Sequence, residues 1–102
     1  MTAETEERLR QLGIQSAETP AHSLLTRGEC LVLVARGSGA AGIGAAGLLT
    51  PAGLAYLVWR DGRPLLAAHG TEMPASPEQV ETLRRFAADV ASALAPETQD
   101  DP

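Results

Sequence analysis

The sequence predicts an α+β domain: a mainly antiparallel sheet of three to five strands, with one helix near each end of the chain. Three observations carry this expectation. Leu54 to Arg60 and Arg63 to His69 are apolar, β-forming runs either side of Asp61-Gly62, a favoured two-residue hairpin turn. Cys30 to Ala35 is an uninterrupted apolar run of strand length. Ser76 to Leu94 carries the capping signals and apolar stripe of an amphipathic helix.

The chain has 102 residues, which suits one core and not a cofactor domain plus a substrate domain. Residues 1–96 read as one α+β unit and 97–102 as a disordered acidic tail. Hydrophobic residues are 44 % of the chain, as expected for a globular protein, but aromatics are only 3 %. The core must therefore be built from Leu, Val, Ile and Ala.

The first helix is expected from Thr2 to Leu12, capped by Thr2 or Thr5, with Glu4, Glu6 and Glu7 at the positive end of its dipole. Gly13 suits a left-handed stop, with Ile14 folding back onto Leu9. Gln15 to Gly28 is polar and holds Pro20, so it reads mostly as loop. Gly37 to Gly47 is ambiguous, and Thr50-Pro51 marks a turn.

In the hairpin register, Val58 faces Leu65, Tyr56 faces Ala67, Leu57 faces Leu66 and Trp59 faces Pro64. The final helix has Ser76 as N-cap, Pro77 in its first turn and Gln79 to complete a capping box. Val80, Leu83, Ala87, Val90 and Leu94 form its stripe, with Phe86 beside it. Glu81 can pair with Arg85, and Arg85 with Asp89.

The hairpin is apolar on both faces. Leu54, Tyr56, Val58, Leu65 and Ala67 lie on one, and Ala55, Leu57, Trp59, Leu66 and Ala68 on the other. A solvated face would alternate with polar residues. The C-terminal helix can cover one face, while the short N-terminal helix covers little of the other. A second copy of the chain is the expected cover, and Tyr56, Val58, Trp59 and Leu65 are the candidate interface residues.

Charge and cysteine content limit the function classes. The net charge of −5 leaves no basic surplus for phosphates, so nucleic acid is not an expected partner. One cysteine, Cys30, rules out a disulfide framework within the chain and suits a reducing, cytoplasmic compartment. The acidic start of the chain does not read as a signal peptide. No charge occurs from Gly37 to Trp59, long enough for a membrane span, but Pro51 and repeated glycines argue against a stable spanning helix.

Gly37-Ser38-Gly39-Ala40-Ala41-Gly42 is a G-x-G-x-x-G string after an expected strand, with Asp61 about twenty residues on. Gly37, Gly39, Gly42 and Asp61 would bind a nucleotide or flavin if a helix followed the loop. A Gly/Ala-rich chain also produces such a string by chance, and Asp61 is already explained by the turn. His22, Cys30 and His69 lack local metal-ligand spacing, so no metal is expected. A His69–Glu72 acid/base pair competes with a plain loop reading of both residues. Arg60 and Arg63, side by side at the hairpin turn, call for an acidic neighbour or for splaying into water.

Tyr56-Leu57-Val58-Trp59-Arg60-Asp61-Gly62-Arg63-Pro64-Leu65-Leu66-Ala67-Ala68-His69-Gly70, followed by the helix from Ser76 to Leu94, resembles the first hairpin and helix of roadblock/dynein-light-chain-type domains. The resemblance covers about forty residues. It implies a non-catalytic homodimer that scaffolds or regulates a small GTPase or signalling complex. The expected function is accordingly a small regulatory interaction module, not an enzyme and without a cofactor. The alternative is a nucleotide- or flavin-binding fragment built on the Gly37–Gly42 loop.

Overall fold

Tight turns set the topology of the chain. Asp61 and Gly62 have φ of 52° and 76°, and His69 and Gly70 have φ of 51° and 79°. Two consecutive positive values are the type I′ pattern, whose twist matches that of paired strands. Between Arg27 and Cys30, Gly28 alone has a positive φ, 60°, as a type II′ turn requires at its first central residue. Turns of this kind return three of the strands beside their predecessors.

The computed structural model describes residues 3–37, 39–51 and 53–95. Helix α1 spans Ala3–Gln11, and strands follow at Gln15–Glu18 (β1), His22–Arg27 (β2) and Cys30–Ala35 (β3). A short 3-10 turn at Gly39–Gly42 leads to β4 (Gly47–Thr50), β5 (Gly53–Arg60), β6 (Arg63–Ala68), β7 (Thr71–Pro74) and helix α2 (Pro77–Leu94). All pairings are antiparallel, and the strands lie in sequence order, β1 to β7.

Seven strands correct the expected three to five. The helices and the α+β class agree with the sequence, and the β5–β6 register is the one expected, from Tyr56↔Ala67 to Trp59↔Pro64. The additional strands include β1 and β7, whose residues are all exposed. Gln-Ser-Ala-Glu and Thr-Glu-Met-Pro have no apolar alternation, so backbone pairing and not side-chain burial makes them strands. Both are short, polar edges, and Pro74 lies on one of them. In β2 the signal is only Ser23 and Leu25, which alternate inward.

Helix α1 ends as its sequence anticipates. Gly13 has φ 76°, the Ile14 N–H donates to the Leu9 carbonyl at 2.9 Å, and the Gly13 N–H donates to the Arg10 carbonyl at 3.0 Å. These are the two bonds of a Schellman motif, and Ile14 and Leu9 are buried together. Thr5 is not a cap: it lies within the helix, buried, and its hydroxyl accepts from Arg8 Nη2 at 3.3 Å. Thr2 lies outside the described residues, as do Pro96 and the acidic 97–102 segment.

Helix α2 has the full capping box. The Ser76 hydroxyl accepts from the Gln79 N–H at 3.1 Å, and the Gln79 carboxamide oxygen accepts from the Ser76 N–H at 2.9 Å. Its buried line runs through Leu83, Phe86, Val90 and Ala93, so Phe86 is central to the stripe. Arg85 reaches Glu81 at 3.5 Å as expected, but Asp89 does not pair with Arg85. It takes Arg27 from the end of β2 instead, at 2.8 Å.

Arg27 joins three elements. Its Nη1 also donates to the Leu12 carbonyl at 3.0 Å, and its guanidinium lies 5.6 Å from the Phe86 ring centre. Arg8 Nε donates to the Ala93 carbonyl at 3.0 Å, tying α1 to α2. Leu9, Leu83, Phe86, Val90 and Ala93 form one core with Leu25, Cys30, Val32, Val34, Leu48, Ala55 and Leu66. Both helices therefore pack on the same side of the sheet.

Candidate interaction surface

The opposite side of the sheet follows from strand alternation. Residues neighbouring the core positions along each strand point away from the helices. The register then places Leu24 beside Leu33, Leu31 beside Gly47, Leu49 beside Leu54, Tyr56 beside Ala67, and Val58 beside Leu65. The centre of this face carries no charge. Among the described residues, no helix covers it.

Exposure agrees with that geometry. Leu33, Leu49 and Tyr56 retain 40 %, 53 % and 37 % of their accessible surface, whereas Val32, Leu48 and Ala55, beside them on the helix-bearing side, are buried. Leu24, Leu31, Leu54, Val58, Leu65 and Ala67 are half-buried, each shielded only by its neighbours in the sheet.

The face is not flat. β3 and β4 pair only at Cys30↔Leu48 and Leu31↔Gly47 before the chain diverges. Beyond that point the Gly44 N–H donates to the Leu33 carbonyl at 3.0 Å, and Ile43 bridges Val34. The divergence opens a hollow of about 280 Å³ lined by Leu33, Gly44, Ala45 and Tyr56. At the other end of β4, Leu49 stands out from the surface.

Charge appears at one corner. Arg60 and Arg63 are register partners, as the turn implies. Glu72, on β7, relieves the repulsion by accepting from Arg60 Nε at 2.9 Å with each of its oxygens, and from Nη2. These hydrogen bonds, with the guanidinium charge behind them, hold the Glu72 carboxyl below its ordinary range and raise Arg60. Glu72 is therefore committed to an ion pair and not to an acid/base dyad. His69 sits in the left-handed turn, with its Nε2 2.9 Å from where a Gly53 Cβ would lie.

Of the residues expected at an interface, the structure brings Tyr56, Val58 and Leu65 together on the open face. Trp59 is on the helix-bearing side, opposite Pro64, and is 58 % exposed. It does not belong with the other three. Leu24, Leu31, Leu33 and Leu49 join them, although the sequence singled out none of the four. Leu31 and Leu33 were visible as part of an apolar run, but their side of the sheet depends on β2 and β4.

The helix that the nucleotide-binding alternative requires does not follow the loop. Gly37 has the positive φ, 78°, of a turn, but Gly39–Gly42 is a single 3-10 turn. Residues 44–46 are irregular and Gly47–Thr50 is a strand, where the fingerprint requires a helix aimed at a phosphate. Asp61 is a central hairpin residue. Cys30 is buried in β3, and burial pushes its thiol up. Among the described residues, no cluster of three His, Cys, Asp or Glu side chains is arranged to hold a metal, and no helix is long and apolar enough to cross a membrane.

No family model, curated protein or solved structure matches the chain.

Proposed function

We propose that this chain is a small non-catalytic interaction module that works as a homodimer, joined through the open face of its sheet. The observation that carries the reading is the uncharged run of Leu24, Leu33, Leu49, Tyr56, Val58 and Leu65 with no helix over it among the described residues. Five strands, β2 to β6, at about 4.8 Å spacing and roughly 17 Å of length give about 400 Å² in plan. Side-chain relief brings this toward the roughly 800 Å² per partner of a standard interface.

A second copy is the favoured cover for two reasons. The centre of the face has no charge with which to select an oppositely charged partner, so like meets like. Residues 1–2, 38, 52 and 96–102 hold no Leu, Ile, Val or aromatic residue that would cover it from within the chain. Closed two-fold dimers are also the commonest oligomers of soluble proteins.

Light scattering of the purified chain at micromolar concentration tests the reading. A mass of two chains is expected, falling to one in Leu33→Glu with helix and sheet content retained. A parent protein that stays monomeric overturns it. The free, buried Cys30 suits a reducing, cytoplasmic compartment. The roadblock-type resemblance extends the role to a scaffold for a small GTPase or signalling complex. A pull-down from the native cell, with the parent dimer as bait and Leu33→Glu as control, checks that extension.

A further inference from the structure

We infer that the dimer is keyed: Leu49 of each copy seats in the hollow between Leu33 and Tyr56 of the other. This rests on the dimer reading above and specifies how the two sheets meet. The chain presents both halves of the fit on one face. Among the described residues, Leu49 is the most exposed large aliphatic side chain of the sheet, at 53 %. The hollow of about 280 Å³ is several times the roughly 30 Å³ share of a water molecule, and its lining of Leu33, Gly44, Ala45 and Tyr56 is mostly apolar and carries no charge. Such a space favours a branched aliphatic side chain over water.

Symmetry makes the fit reciprocal. Two copies packed by the same face are related by a two-fold axis lying in the interface. Leu49 and the hollow lie toward opposite ends of the β4 segment, about four residues and roughly 13 Å apart. An axis crossing β4 near Gly47, perpendicular to the strands, sets each Leu49 over the other copy's hollow. It also leaves the strands of the two sheets aligned, one of the two common ways that sheets stack.

Crosslinking tests the seating separately from the dimer. In a Cys30→Ala background, Leu49→Cys with Leu33→Cys places two thiols near each other only across the interface. Within one chain they lie well beyond the roughly 7 Å Cα limit for a disulfide. Mild oxidation is expected to yield a covalent dimer from the double variant and from neither single variant. A dimer by light scattering that does not crosslink overturns the seating and leaves the dimer reading intact. A monomer overturns both. If the cysteine variant does not fold, a rescue experiment replaces it. Leu33→Phe, which fills the hollow, is expected to weaken the parent dimer about tenfold and to strengthen the Leu49→Ala dimer. Additive effects of the two changes overturn the seating.

Discussion

A Cβ on Gly47 would lie 3.3 Å from Cδ1 of Tyr56, its register partner on β5. The tyrosine ring fills space that only a glycine leaves beside it, and Leu54 closes in from the other side, 2.7 Å from the same point. Gly47 is thus buried on a face that is otherwise open to solvent. Gly47→Ala must move Leu54 and press on the Ala55 carbonyl at 3.1 Å. Overpacking of this kind costs about 1–3 kcal/mol. Urea unfolding at fixed protein concentration checks it, and an unchanged midpoint would contradict the packing described.

Ser76→Ala removes one half of the capping box of α2. The expected loss is about 1 kcal/mol, and Ser76→Gly costs only a few tenths. Paired urea melts of the two variants test whether the hydroxyl, and not the residue's backbone shape, holds the helix start.

Phe86 has no accessible surface and stands between α2 and the sheet, with Arg27 against its ring. Phe86→Ala opens a cavity worth about 3–5 kcal/mol, a large part of the total stability of a chain this size. Phe86→Leu keeps most of the volume and is expected to remain folded at a smaller cost. Circular dichroism melts separate the two outcomes.

Glu72 gives a pH prediction. Its carboxyl is lowered in the folded state by hydrogen bonds from Arg60. Its contribution is therefore complete above the unfolded pKa and is lost as pH falls through the folded value. Glu72→Gln is expected to flatten that acid limb and to lower stability at neutral pH by the same amount, which is small because the pair is solvent-screened. An NMR titration in which Glu72 shows an ordinary carboxyl pKa would falsify the pairing.

Cys30 is 3 % exposed and burial raises its thiol pKa. Thiol reagents are expected to label it slowly in native buffer and fully in denaturant. Labelling at equal rates in the two conditions counts against its place in β3.

The cues that worked in this sequence were local. The Schellman stop at Gly13, the capping box at Ser76, and the Asp61-Gly62 turn with its β5–β6 register are all set by residues within a few positions of one another. The cues that misled depended on partners far along the chain. From sequence Glu72 reads as a loop acid or the partner of His69, because Arg60 reaches it only across the width of β6. Asp89 reads as a partner for Arg85 four residues away, whereas the fold brings it Arg27 from β2. Trp59 is expected at the interface from the apolar character of both hairpin faces, but its face is the one that the helices take.

The sequence alone determined that the hairpin would have two apolar faces, because a period of two and a fixed turn leave no other arrangement. Only the tertiary structure decided that both helices share one side. Leu9 and Ala93 bury each other's surroundings in the same core as Leu25 and Phe86, a choice that depends on three-dimensional packing and not on the pattern of any one segment. That choice leaves Leu33, Leu49 and Tyr56 facing water, because the apolar side chains of both helices are used up in the shared core on the other side.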